Sequence, residues 1–262
     1  AVAVMLGVGV LGIAWFVVAE RSSPAPMVPL EVFRVRQFTV TNVVTFLVYA
    51  ALGGVLFLFP VELQVVDHYT PLESGVALLP ITVLMLLLSA RSGRLATRIG
   101  PRLQMSTGPV VVGAGLALLG RSTGDAGYVA GVLPAVLVFG LGLAITVAPL
   151  TTTALGALPA EHAGLASAVN NDVARLGGLL AVAILPALAG ITGSGYLHPV
   201  ALAVGFRRAV LIAGLWCAAG GLVAASGIRN PAPPTPTAGA KAPDERSCFH
   251  CALDGAPLRV NS

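Results

Sequence analysis

Charge is scarce in this chain: 10% of its 262 residues are Asp, Glu, Lys or Arg, where a soluble domain carries about 25%. So few ionic groups cannot cover a water-soluble fold of this size, and that class is excluded. Lysine occurs once, at Lys241, and the other 14 of the 15 basic residues are arginine, a bias in keeping with a high-GC bacterial coding sequence. The basic residues behind the formal net charge of +4 are not clustered on one face. The arginines are spaced between apolar runs, which argues against nucleic acid as a partner. Cysteine is nearly absent: Cys217 lies in an apolar run, and Cys248 and Cys251 lie in the C-terminal tail. No disulfide framework is expected from them. The segment CFHC at 248–251 supplies at most three ligands, and His68, His162 and His198 are far from it in sequence. A structural zinc site takes four ligands, so neither a metal nor another cofactor is expected.

What fills the chain is apolar residue, 56% of the total, with a mean hydropathy of +0.90. About 20 apolar residues at 1.5 Å each cover the ~30 Å of hydrocarbon in a bilayer. The clearest unit is the hairpin from Gly75 to Gly120, in which two apolar runs flank a patch holding Arg91, Arg94, Arg98 and Arg102. The expected fold is an all-α membrane protein with seven transmembrane helices and the lipid bilayer as its solvent. The spans are Ala1–Ala19, Phe38–Phe59, Gly75–Ala90, Leu103–Gly120, Tyr128–Leu150, 164–190 and Arg208–Ile228. Residues 20–37 form a proline-rich cytoplasmic linker, 38–228 a six-helix bundle, and 229–262 a disordered cytoplasmic tail with five prolines before Asp244. The chain opens inside an apolar run, with neither an initiator Met nor a basic leader, and so reads as truncated rather than as a signal peptide.

Alternating the connections across the membrane puts twelve basic residues on one side and three on the other. The richer side takes the linker, the arginine patch, the 150–175 connection and the tail. By the positive-inside rule that side is cytoplasmic, which gives a multi-pass protein of the bacterial plasma membrane with its C-terminus inside. Within the spans, Asn42, Thr45 and Tyr49 recur at i, i+3 and i+7 and share one helix face. That face turns either to a neighbouring helix, through hydrogen bonds, or to a wet cavity. Thr82, Thr146, Asn170 and Asn171 join them as candidate cavity residues. Glu62, Asp172 and Arg175 fall near span ends. The spacing of Asp172 and Arg175 allows a local ion pair, and an arginine at that position can instead snorkel to the headgroups. Pro80 is expected to kink its span. Glycines at 108, 113, 115, 131, 140 and 142 call for closely packed helices.

Four sequence phrases point to a family. GRLATRIGPR at 93–102, with Gly93, Arg94, Arg98, Gly100 and Arg102, resembles the loop signature of the major facilitator superfamily. FLFPVELQVVDHYTPLESGVALLP at 57–80 and PAEHAGLASAVNNDVARLGG at 159–178 resemble segments of that superfamily's fourteen-span drug/proton antiporters, and LEVFRVRQF at 30–38 is similar to their link into the C-terminal bundle. The resemblance implies that 1–19 is the span preceding the C-terminal bundle and that 38–228 is that bundle. It also implies a cavity lined by spans two, three, five and six, a small-molecule substrate, protons as the coupling ion and an N-terminal transmembrane half outside this sequence. Thr97 stands where the family has an acid, so the family's acid-centred clamp is weakened here.

The functional expectation is the C-terminal part of a proton-coupled exporter of hydrophobic or cationic compounds that works by alternating access. With Glu62, Asp67 and Asp172 read as lying near span ends, the essential proton carrier is expected outside this chain. The competing expectation is a membrane fragment with no transport of its own. An enzyme is not expected, because no His, Asp or Glu cluster lies within the spans.

Overall fold

The computed structural model describes residues 2–22, 29–121 and 127–230. The tail with its CFHC segment, residues 23–28 of the linker and most of the 121–127 connection lie outside the described residues.

Eight helices account for nearly all of the described chain: α1 (Val2–Ser22), α2 (Arg36–Val65), α3 (Pro71–Ala77), α4 (Leu79–Ile99), α5 (Pro101–Leu119), α6 (Leu133–Leu155), α7 (Ala163–Leu188) and α8 (Pro199–Gly227). A π-helical turn, Tyr128–Val132, leads into α6, and 3₁₀ turns precede α2, α7 and α8. No strand occurs among the described residues. This follows from the solvent, because in hydrocarbon every backbone N–H and C=O must find its partner within the protein, and a helix supplies both. Among the described residues, five segments are long and apolar enough to cross a membrane: Arg36–Val65, Pro71–Ile99, Tyr128–Leu155, Ala160–Leu188 and Pro199–Gly227. The 19-residue α5 packs between α6 and α8.

Several boundaries differ from the expectation. The second span was expected to end at Phe59, but α2 continues through Pro60 to Val65. Membrane helices tolerate proline where neighbours re-satisfy the freed groups. The interruption expected at Pro80 falls at Leu78, inside the segment Pro71–Ile99, and Pro80 sits in the first turn of α4, where a missing N–H is harmless. The arginine patch is no loop. Arg91, Arg94 and Arg98 occupy the last turns of α4, and the turn itself is Gly100, with φ of +86°.

The helices pack in the spatial order α4, α6, α5, α8, α2, α7, with α6 also touching α2 and α7. The larger core gathers Leu58, Phe59 and Leu63 of α2 with Leu116, Phe139, Leu185 and Phe206. The Phe59 and Phe206 rings stack at 6.0 Å. A smaller core, Val44, Val48, Met105, Leu150, Ala224 and Ile228, holds the arginine-rich end. Outside these cores large apolar side chains stand uncovered, as with Leu86 (80% exposed) on α4 and Leu179 (69% exposed) on α7. Hydrocarbon or further apolar helices can cover such faces, whereas water penalises them at about 25 cal/mol per Å².

Glycine sets the helix separation. A Cβ on Gly142 of α6 would lie 2.5 Å from the Val112 nitrogen of α5, and one on Gly53 of α2 would lie 2.5 Å from the Gly178 Cα of α7. These are backbone atoms that no rotamer change can clear. Gly142→Leu is therefore expected to destabilise the detergent-solubilised protein by about 1–3 kcal/mol, the usual cost of overpacking. Gly164→Ala, which meets nothing within 4 Å, should leave the melting temperature in place. Thermal unfolding of the two variants side by side measures the difference.

Candidate functional site

The candidate residues Asn42, Thr45 and Asn170 meet between α2 and α7. The Asn170 side-chain amide donates to Thr45 Oγ1 at 2.8 Å and to Asn42 Oδ1 at 3.2 Å, across 125 and 128 residues of sequence. Each partner is oriented in turn by its own helix: Thr45 Oγ1 donates to the Thr41 carbonyl at 2.9 Å, and Asn42 Nδ2 to the Phe38 carbonyl at 2.9 Å. All three residues are buried. Of the two uses open to this polar face, a helix-to-helix hydrogen bond is the one the structure contains.

The other candidates do not join this node. Tyr49, one turn beyond Thr45, is half-buried against the Val44–Val48 core. Thr82 is exposed on α4. Thr146 is buried, with its hydroxyl donating to the Gly142 carbonyl at 2.7 Å and pressed against Gly108 of α5. Asn171, Asp172 and Arg175 are exposed on α7, and the ion pair that their spacing allows between Asp172 and Arg175 is not formed. Asp172 lies nine residues past the first residue of α7, about 14 Å along its axis.

The loop signature builds a clasp at the arginine-rich end. Arg102 donates through Nε and Nη2 to the Ala225 carbonyl at 2.9 and 2.6 Å, and Arg36 donates to the Ser226 carbonyl at 2.8 Å. Two cationic side chains thus satisfy the last carbonyls of α8, where the helix dipole is negative. Asn230 completes the clasp: its Oδ1 accepts from the Arg102 N–H at 3.1 Å and its Nδ2 donates to the Ile99 carbonyl at 3.4 Å. One side chain therefore caps the start of α5 and the end of α4. A Cβ on Gly100 would strike this amide. Gln37 and Arg229 exchange a further reciprocal pair at 3.2 and 3.1 Å. Thr97 Oγ1 donates to the Arg94 carbonyl at 2.8 Å, and Gly93, Arg94 and Arg98 take no part in the clasp.

Sequence reasoning missed Asn230, Arg36 and Gln37, which are joined to the signature only by the fold. It also missed Gln104, a buried polar residue on α5 whose Nε2 donates to Ser92 Oγ and to the Ser92 carbonyl at 3.1 and 3.2 Å, while Ser92 Oγ donates to the Ile145 carbonyl at 3.1 Å. A lone glutamine in an apolar run was the available signal. At the opposite end, the acids Glu62 and Asp67 flank the exit of α2. Burial raises the Asp67 carboxyl above its ordinary range, against the opposing pull of His68.

A bundle of long apolar helices with buried interhelical amide bonds, tight glycine contacts and arginine-capped ends is a polytopic membrane protein. Its sequence matches the Major Facilitator Superfamily profile over residues 1–182, and the chain belongs to that family. It is 33% identical over 196 residues to the "Multidrug resistance protein Stp" of Mycobacterium tuberculosis, covering 75% of this chain and 36% of that protein. It is 35% identical over 187 residues to the "Tetracenomycin C resistance and export protein" of Streptomyces glaucescens, covering 70% and 34%. It is 32% identical over 201 residues to the "Puromycin resistance protein pur8" of Streptomyces alboniger, covering 74% and 39%. The chain thus spans little more than a third of the length of these curated relatives. The family points to transport rather than catalysis.

The Asn170 node should carry measurable stability. Asn170→Ala removes both interhelical bonds and is expected to cost about 1 kcal/mol, the scale found for such bonds in membrane proteins. Asn171→Ala, whose side chain is exposed, is expected to stay within about 0.5 kcal/mol of the parent. Unfolding in mixed micelles resolves the two.

Proposed function

We propose that this chain is the C-terminal part of a proton-coupled exporter of hydrophobic or cationic small molecules in a bacterial plasma membrane, with its C-terminus in the cytoplasm. It would work by rocking against an N-terminal transmembrane half. The observation that carries this reading is the match to relatives named for drug resistance and export, over most of this chain. The exposed apolar faces of α4 and α7 offer the surfaces that a second bundle needs. Asn42, Thr45, Tyr49, Thr82, Thr146, Asn170 and Asn171 are the polar groups we assign to the substrate path, with Asn42, Thr45, Thr146 and Asn170 buried in hydrogen bonds in the conformation described.

Proton coupling needs a carboxylate whose surroundings change as access alternates. Glu62 lies within the last turn of α2 and Glu73 in the first turn of the seven-residue α3. Asp172, by contrast, is exposed on α7 more than two turns from either end. That depth leads us to assign the proton step to Asp172 rather than to a group outside this chain. In cells expressing the full-length protein, Asp172→Asn should reduce gradient-driven efflux of a fluorescent drug at least tenfold, and Glu62→Gln should leave it unchanged. Undiminished efflux by the Asp172 variant would return the carrier to the other half of the protein.

A further inference from the structure

The membrane face opposite the clasp carries a cavity of about 570 Å³ lined by Tyr69, Leu72, Glu73, Val76, Ala77 and Tyr128. This volume lies within the range of small-molecule sites. It is formed where α2 ends, α3 starts and the π turn enters α6, well apart in sequence from the Asn170 node. Its walls are held in place. Glu73 closes a capping box with Thr70: Glu73 Oε2 accepts from the Thr70 N–H at 2.8 Å and from Thr70 Oγ1 at 2.9 Å, and Thr70 Oγ1 accepts from the Glu73 N–H at 3.3 Å. The box engages one carboxylate oxygen. The Tyr128 hydroxyl donates to the Ala77 carbonyl at 3.1 Å, which pins the π turn to α3. The Tyr69 N–H donates to the Leu63 carbonyl at 3.0 Å, which folds the chain back over the end of α2.

We propose that this cavity binds a hydrophobic organic cation at the face opposite the arginines, as a site separate from the transport path. Among the described residues that line it, Glu73 is the single charged one, and it is negative. Tyr69 and Tyr128 bring the two rings to the same space, and the face of an aromatic ring attracts a cation. Leu72, Val76 and Ala77 supply the apolar wall for the body of the ligand. An anion would meet an uncompensated carboxylate, and a strongly hydrated inorganic cation would gain nothing from the apolar wall.

The probe is tetraphenylphosphonium, with tetraphenylborate as an anion of the same shape, and equilibrium binding is measured by scintillation proximity on the full chain in lipid nanodiscs. No gradient is applied, so a failure of proton-coupled export does not touch the result. Tetraphenylphosphonium should bind saturably and more tightly than the borate. Glu73→Gln removes the charge while keeping the capping box, in which glutamine also serves, and should weaken the phosphonium about threefold, the scale of a solvent-exposed charge pair. Tyr69→Leu should weaken it about threefold to fivefold through loss of a ring, and Tyr128→Phe, which keeps its ring, should not. Gly164→Ala, which meets nothing within 4 Å, should bind as the parent does. Equal affinity of Glu73→Gln and parent, or equal affinity for cation and anion, would overturn the proposal.

Discussion

Hydrocarbon gives a polar group no partner, and that constraint shapes nearly every feature of this molecule. It makes the apolar runs helical, and it dictates what the few polar side chains do. The Asn170 amide must donate, so it reaches across to Thr45 and Asn42 and fixes α7 against α2. Gln104 does the same for α5 against α4 through Ser92. In water such bonds would trade against solvent at little net gain. In lipid they also set register, because a helix rotated away from its partner leaves an amide unpaired.

Helix ends pose the same problem in concentrated form, since each C-terminus carries several free carbonyls. At the arginine-rich end the solution is shared between helices. Arg36 and Arg102 finish α8, and Asn230 finishes α4 while starting α5. The family's loop signature thus acts here through Gly100 and Arg102 as a mechanical joint to the last helix. The position normally held by an acid is Thr97, whose hydroxyl turns back to its own helix. The joint consequently depends on hydrogen bonds to backbone rather than on a buried ion pair, which spares it the cost of desolvating two charges.

The all-helical membrane fold was legible from the scarcity of charge and the length of the apolar runs, because the bilayer imposes one period and one length on any span. Span limits were less legible. The α2 helix passes through Pro60, and α4 carries its arginines for two further turns beyond Ala90, since helices project past the apolar layer and proline does not end them in lipid. The polar face of α2 could be read from Asn42, Thr45 and Tyr49, but the partner Asn170 lies 125 residues beyond Thr45. Only the packing of α2 on α7 selects it. Arg102 was identified as part of a motif, yet its acceptors at Ala225 and Asn230 are a carbonyl and an amide with no sequence signature of their own.

The central claim is that these helices cross a lipid bilayer with the arginine clasp on the inner side and the Glu73 cavity on the outer. Single cysteines at 72 and 97, introduced into a full-length protein whose native cysteines have been replaced, can be challenged in intact cells with a membrane-impermeant maleimide. Labelling at 72 in intact cells, with labelling at 97 only after permeabilisation, is the predicted result. Labelling at 97 from outside would contradict the orientation and every placement that depends on it.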